Sequence, residues 1–167
     1  DPKVIELSLK YFQGKGVVNS INLEDGLEKL DHICPLLRQY GAAVVVGCID
    51  EDKLQGQAIT PERKLEVAKR SYDILTTQYG IPARDIIFDP LVFPAGTGDA
   101  NYVGSAAHTI EGVRRIKEAL PDTHTILGIS NVSFGLPASG REVMNSVFLY
   151  HCTKAGLDFA IVNSEKL

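Results

Sequence analysis

The sequence has 167 residues, 44% hydrophobic and 23% charged, which is the balance of one globular domain with its own core and leaves no tract for disorder. Its formal net charge of −4 provides no basic stripe to neutralise a phosphate backbone, so no nucleic-acid partner is expected. The most apolar stretch, Ala42 to Ile49, is far shorter than a bilayer span, and the opening segment is a charged helix rather than a signal-peptide pattern, so no membrane attachment and a cytoplasmic setting are expected.

In chain order, DPKVIELSLKYFQG predicts a helix: Asp1 is placed to cap the free N–H groups, Pro2 suits the first helical position, and Gly14 follows the last apolar turn. The β-branched run GVVNSIN predicts a strand, and the amphipathic stretch from Leu27 to Tyr40, stopped by Gly41, predicts the helix behind it. Ala42 to Ile49 is the continuous apolar run of a strand buried on both faces, and Thr60 with Pro61 starts a long helix ending at Gly80. Ile86 to Phe88 predicts the next strand, closed by Asp89 and Pro90, and after a Gly-rich loop a helix spans Ser105 to Leu120. A strand over Thr125 to Ile129, a helix from Arg141 to Ala155 stopped by Gly156, and a strand over Phe159 to Val162 complete the series.

These elements contain no hairpin. Every connection between strands holds a helix, which requires parallel pairing, and both an open doubly wound sheet and part of a TIM-type (β/α)8 barrel satisfy that pattern. A leading helix with no strand ahead of it, and a last strand with no helix behind it, read as a cut through a repeating βα series. The expected fold is therefore α/β, a partial barrel over residues 1–167 treated as one domain incomplete at its N-terminus, with roughly three βα units outside it.

Each strand ends in short polar side chains: Asn19 with Ser20 and Asn22, then Asp50, Asp89, Ser130 with Asn131, and Asn163. In a parallel barrel all strand C-termini open on one face, where these positions converge. Any one of them alone more often serves a turn or a helix cap, so the inference rests on the set. Carboxamides beside a carboxylate, without a paired second acid or a nucleophile next to a base, are poorly suited to hydrolysis. They suit the reading of a heterocycle, because a carboxylate accepts two hydrogen bonds from an amino-pyrimidinone edge such as a pterin presents.

Other features take plainer readings. Cys34, Cys48 and Cys152 are odd in number and set in apolar sequence, which predicts buried free thiols, and no metal site is expected because no close Cys or His spacing occurs. The acids Asp50, Glu51 and Asp52 predict a solvated loop, and Gly96, Gly98 and Gly104 do not match the dinucleotide fingerprint. His32, His108, His124 and His151 are assigned surface or packing roles, and Tyr72, Tyr79, Phe148 and Tyr150 are expected on helix faces packed against the barrel.

The segments VVNSINLEDG, AAVVVGCIDEDKLQGQA, IIFDPLVFPAGTG and LGISNVSFGLP, with SVFLYHCTKAGLDFAIVNSEKL after them, resemble the pterin-binding methyltransferase family over essentially the whole chain. Within it they are most similar to the methyltetrahydrofolate-binding domain that serves cobalamin-dependent methionine synthesis from homocysteine. The resemblance implies that Asn19 and Asp89 hydrogen-bond the pterin, that Asn131 is the catalytic residue beside the methyl-bearing ring nitrogen, and that Arg141 helps to bind substrate. Asp50, Ser130 and Asn163 would line the site. It also implies methyltetrahydrofolate as substrate, with cobalamin as a cofactor bound by a separate domain. Partners on the same polypeptide would be that cobalamin-binding domain and a homocysteine-binding zinc domain, since neither a D-x-H-x-x-G cobalamin signature nor a thiolate zinc site occurs in these residues. A further family aspartate, on the strand ahead of the opening helix, lies outside the sequence. Two other readings share the motifs: a methyltransferase acting on a corrinoid iron-sulfur protein, and a non-catalytic folate-binding module.

Overall fold

Helices and strands alternate along the chain at the positions the hydrophobic spacing predicts. In the computed structural model, which describes residues 1–166, they are α1 (Pro2–Tyr11), β1 (Val17–Ile21), α2 (Glu28–Tyr40), β2 (Ala43–Gly47) and α3 (Pro61–Asp73). There follow β3 (Ile86–Asp89), α4 (Ser105–Ala119), β4 (His124–Gly128), α5 (Ala138–Lys154) and β5 (Phe159–Ile161).

Side-chain caps set the starts of two helices. Asp1 caps α1 by accepting a hydrogen bond from the Lys3 N–H at 2.9 Å, and Thr60 Oγ1 accepts one from the Arg63 N–H at 3.3 Å to cap α3. Two helix boundaries differ most from the sequence expectation, while β2 ends at Gly47 rather than Ile49 and β4 spans His124–Gly128 rather than Thr125 to Ile129. The helix expected to reach Gly80 is α-helical only to Asp73 and finishes as one π-helical turn, Ile74–Gln78. There the hydroxyls of Thr76 and Thr77 donate back to the carbonyls of Tyr72 and Asp73 and compete for the helical ladder. At the other boundary, α5 begins at Ala138 rather than Arg141. Ser139 and Gly140 look like loop residues, but first-turn N–H groups have no helical partner to lose, so their low propensity matters little there.

The strands lie in the order β1-β2-β3-β4-β5, and every neighbouring pair is parallel. A doubly wound sheet reverses its order at a switch point, whereas this sheet runs in one direction throughout. It is a half-barrel, part of a TIM-type (β/α) barrel. On the convex side Val44, Val46, Ile86 and Phe88 pack against Leu30, Ile33 and Leu37 of α2 and Val67 and Ala68 of α3. A second cluster joins Val113, Leu127, Ile129, Phe148 and Cys152. Each large side chain buried in these cores contributes about 1.5–3 kcal/mol relative to exposure.

The concave face carries Ala43, Val45 and Ile87, with Ile126 against them. All five positions of β2 are buried, as a strand covered on both faces requires. At the two edges of the sheet Val17, Phe159 and Ile161 are about half exposed. Cys34, Cys48 and Cys152 are buried free thiols, and burial pushes each up to about 12. Tyr72, Tyr79 and Phe148 pack on the cores, but Tyr150 is exposed and meets the edge of His151 and the Lys154 ammonium. Apolar residues surround α5 on every side, with Val143 and Val147 also exposed, so its periodicity does not single out the buried face. No described helix is long and apolar enough to cross a membrane.

Candidate active site

The C-terminal ends of β3 and β4 open into one cleft of about 480 Å³ on the concave side. Asp89, Leu91, Val92 and Phe93 form one wall and Gly128, Ser130 and Asn131 the other, with Gln57 and Ile161 at the margins. This volume holds a bicyclic heterocycle with room to spare.

On the first wall, Asp89 Oδ1 accepts a hydrogen bond from the Leu91 N–H at 2.9 Å. Its second oxygen has no hydrogen-bond partner among the described residues. Burial pushes the Asp89 carboxyl above the usual aspartate range, against the opposing pull of the Leu91 N–H and the Lys64 ammonium. Leu91 has φ of 67°, the one positive value for a non-glycine among the described residues. For a branched side chain that conformation costs on the order of 1–3 kcal/mol and persists only where neighbours over-determine it. The neighbours here are side chains from two helices. Thr109 Oγ1 of α4 donates to the Leu91 carbonyl at 2.8 Å, and Lys64 Nζ of α3 donates to it at 3.3 Å. Lys64 also donates to the carbonyls of Pro90 and, at 2.8 Å, Ala58, and lies 5.1 Å from the centre of the Phe93 ring. Lys64 is fully buried, and desolvation lowers it to about 8.

The second wall is a single 3-10 turn. After Gly128 the chain winds through Ile129–Ser133 and presents Asn131 from its middle. A Cβ on Gly128 would lie 3.2 Å from Asn131 Nδ2, so the absent side chain gives the amide its place. The Asn131 carboxamide makes no hydrogen bond to any described residue, although Ser133 Oγ donates to the Ser130 carbonyl at 3.0 Å within the same turn. Arg141 braces that turn from α5, Nε donating to Ser133 Oγ at 3.0 Å and Nη2 to the Ser130 carbonyl at 3.3 Å. The two walls are tied together where the Ala95 N–H donates to the Val132 carbonyl at 2.9 Å.

Of the residues singled out in the sequence, the cleft gathers Asp89, Ser130 and Asn131. Asn19 lies in register with Val45, which puts it on the same concave face, but on the edge strand and outside the cleft. Asp50 is committed elsewhere: Arg63 Nη2 donates to both carboxylate oxygens at 2.6 Å, and Arg70 Nη1 lies 3.5 Å from one of them. Glu51 pairs with Arg70, whose hydrogen bonds hold its carboxyl below the usual range, and Asp52 accepts from the Leu54 and Gln55 N–H groups. Asn163 accepts from the Glu165 N–H at 3.1 Å, and with Arg141 and Asn145 it lines a neighbouring hollow of about 250 Å³ that touches the cleft only through Ser130. None of the four histidines lines the cleft, and no group of three His, Cys, Asp or Glu among the described residues is placed to hold a metal ion.

Sequence reasoning passed over Lys64, Thr109, Phe93 and Gln57. A signal for the first was available: Lys64 shares the helical stripe of Pro61, Val67, Ala68 and Ser71, so the spacing itself places a lysine on the buried face of α3.

A sequence profile described as pterin binding enzyme matches residues 1–163. The chain is 40% identical to the methionine synthase of Mycobacterium tuberculosis (strain ATCC 25618 / H37Rv) and 41% identical to that of Mycobacterium leprae (strain TN), in each case over 98% of its length. It spans 14% of the length of each of these relatives.

Proposed function

The chain belongs to the pterin-binding enzyme family, and from that premise we propose that it binds methyltetrahydrofolate and holds it for methyl transfer to cobalamin during methionine synthesis from homocysteine. The observation that carries this reading is the shared cleft. Asp89 and Asn131 come from different strand ends, face one opening, and keep hydrogen-bonding capacity that no neighbour uses.

Asp89 is the cleft's one carboxylate, and its free oxygen is suited to the N–H donors of the pterin's amino-pyrimidinone edge. Asn19, on the same concave face, is assigned a further hydrogen bond to the ring. Arg141 supports binding by holding the Ser130–Ser133 turn in place. Ion pairing removes Asp50 from the ligand, and Asn163 is given no contact with it.

Asn131 has the mechanistic part. When the methyl group leaves a tertiary amine, the electrons of the broken C–N bond stay on nitrogen, which is a poor leaving group unless a proton neutralises the developing charge. A carboxamide beside that nitrogen accepts a hydrogen bond from its N–H and so favours the protonated form, without exchanging a proton itself. The cleft is open, so the proton comes from solvent. Reduced cobalamin supplies the nucleophile that takes the methyl group. The residues suit that division of labour, since the cleft offers an open approach and no histidine or cysteine to ligate cobalt. Cobalamin and homocysteine are assigned to other domains of the same polypeptide, because the chain spans 14% of the length of the methionine synthases it resembles.

The test measures methyltetrahydrofolate affinity and methyl transfer to reduced cobalamin in the full-length protein, wild type against Asn131→Ala. Affinity should change little, while transfer falls by about 100-fold, the usual loss when one such electrostatic group is removed. A protein that binds the folate but transfers nothing, with Asn131→Ala no worse than wild type, would reduce the chain to a binding module.

A further inference from the structure

We propose that Lys64 and Thr109 form a buried clamp that positions the folate cleft: by holding the carbonyls that follow β3 they keep Leu91 left-handed and hold the Asp89 carboxylate at the opening. The claim rests on the folate reading only for the identity of the ligand.

Four observations support it. The first is the coincidence of an unusual backbone with unusual partners. Leu91, at φ 67°, is where the chain leaves β3 and turns along the cleft wall, and its carbonyl is held by side chains from both α3 and α4. The second is the reach of Lys64. Its ammonium joins the carbonyls of Pro90 and Leu91 to that of Ala58, next to the cleft residue Gln57 in the loop ahead of α3, so one buried group ties two margins of the cleft together. The third is the space made for it. A Cβ on Gly112 of α4 would come within 2.6 Å of Lys64 Cδ, so the lysine stem crosses the helix where a side chain is missing.

The fourth is electrostatic. A fully buried ammonium is unfavourable unless its surroundings compensate, and three carbonyls with a nearby carboxylate are the compensation here. The field acts in return on Asp89, which burial drives towards protonation and Lys64 restrains. The remaining titratable neighbour of both groups is Cys48, at the end of β2, whose thiol burial holds neutral by raising it to about 12. Gln57, Ser130 and Asn131 share the cleft without titrating.

The roles of the two clamp residues separate by substitution. In the full-length protein, Lys64→Met removes both the hydrogen bonds and the charge, whereas Thr109→Val removes only a hydroxyl. Amide hydrogen exchange over 89–95 should rise in both variants, by about tenfold or more for Lys64→Met, whose lost hydrogen bonds came from a charged donor. Methyltetrahydrofolate binding should weaken in both. Its acidic limb should move to higher pH in Lys64→Met alone, because a carboxyl without its cation ionises less readily and only the ionised form accepts from the pterin. A lysine serving the general fold alone would leave that limb where it is. If Lys64→Met fails to accumulate, Gly112→Ala displaces the stem while keeping the charge and should raise exchange over the same residues.

Unchanged exchange over 89–95 in Lys64→Met, or in Gly112→Ala where it replaces that variant, would overturn the clamp. An unshifted acidic limb in Lys64→Met would overturn the part concerning Asp89. A wild-type protein that shows no folate binding defeats the proposed function instead, and the exchange experiment then still decides the clamp.

Discussion

Asp50 and Asp89 stand at the ends of adjacent parallel strands, look alike in the sequence and each accept a backbone N–H from two residues on, yet they differ in what fills the rest of the carboxylate. Asp50 follows β2, is 4% exposed, and has both oxygens filled by Arg63, with Arg70 beside them. Asp89 closes β3, has one backbone N–H on one oxygen, and leaves the other towards the cleft. The first is an ion pair that folding completes. The second keeps an acceptor that folding leaves unused, at the end of a strand where a ligand has room. Unused hydrogen-bonding capacity, rather than residue type or position on the strand, separates the structural acid from the functional candidate.

The largest expected effect breaks the comparison on the β2 side. Asp50→Ala removes the buried partner of Arg63, whose side chain is 14% exposed and keeps only the exposed Glu66 carboxylate, 3.1 Å away. Loss of one member of such a pair costs about 3 kcal/mol, read as a lower urea midpoint at unchanged slope. Molecules that remain folded should bind methyltetrahydrofolate as wild type does. A variant of normal stability that no longer binds would exchange the roles of the two aspartates.

On the β3 side the sign reverses. A carboxyl whose folded pKa is raised contributes most to stability while protonated, and that contribution is lost as pH rises through the folded value. Burial raises Asp89, so at neutral pH the ionised side chain weighs against the fold. Asp89→Asn removes that penalty and should be at least as stable as wild type at pH 7, with the advantage vanishing below the ordinary aspartate range. Folate affinity should nevertheless fall by about 10- to 100-fold, the loss of a paired acceptor on a heterocycle edge. Calorimetric titration beside denaturation at about pH 7 and about pH 3 checks both halves. A variant that is both less stable and fully able to bind would remove Asp89 from the site.

This contrast also marks what could be read without coordinates. The alternation of apolar runs and amphipathic stretches predicts all five strands and the helices between them, because a strand buried on both faces, such as β2, has little choice of sequence. Polar strand ends point to Asp89 and Asn131, and on the same grounds to Asp50. What separates them lies 13 and 20 residues further along, at Arg63 and Arg70, two turns apart on one face of α3. Sequence spacing shows that those arginines share a face; it does not show that the face meets the end of β2. Lys64 was legible as a misfit on a buried stripe, but its partners are backbone carbonyls, which no side-chain pattern announces. Tyr150 was misread because α5 is apolar all round, leaving no periodicity to choose a face.

The smallest expected effect is the most discriminating test of the second wall. Gly128 has φ of −79°, which any residue tolerates, so Gly128→Ala meets no backbone barrier. The new methyl group would lie 3.2 Å from Asn131 Nδ2, too close for comfort but short of a clash, and the amide must yield by a few tenths of an ångström. Asp89 stands on the opposite wall and keeps its place, so binding should hold within about twofold. Transfer should fall several-fold, roughly 1 kcal/mol, since assistance at a reacting nitrogen depends more steeply on placement than ground-state contact does. Single-turnover transfer measured beside equilibrium binding resolves the two. If binding and transfer fall together, Asn131 recognises the folate in its ground state and the assistance at the methylated nitrogen must come from another group.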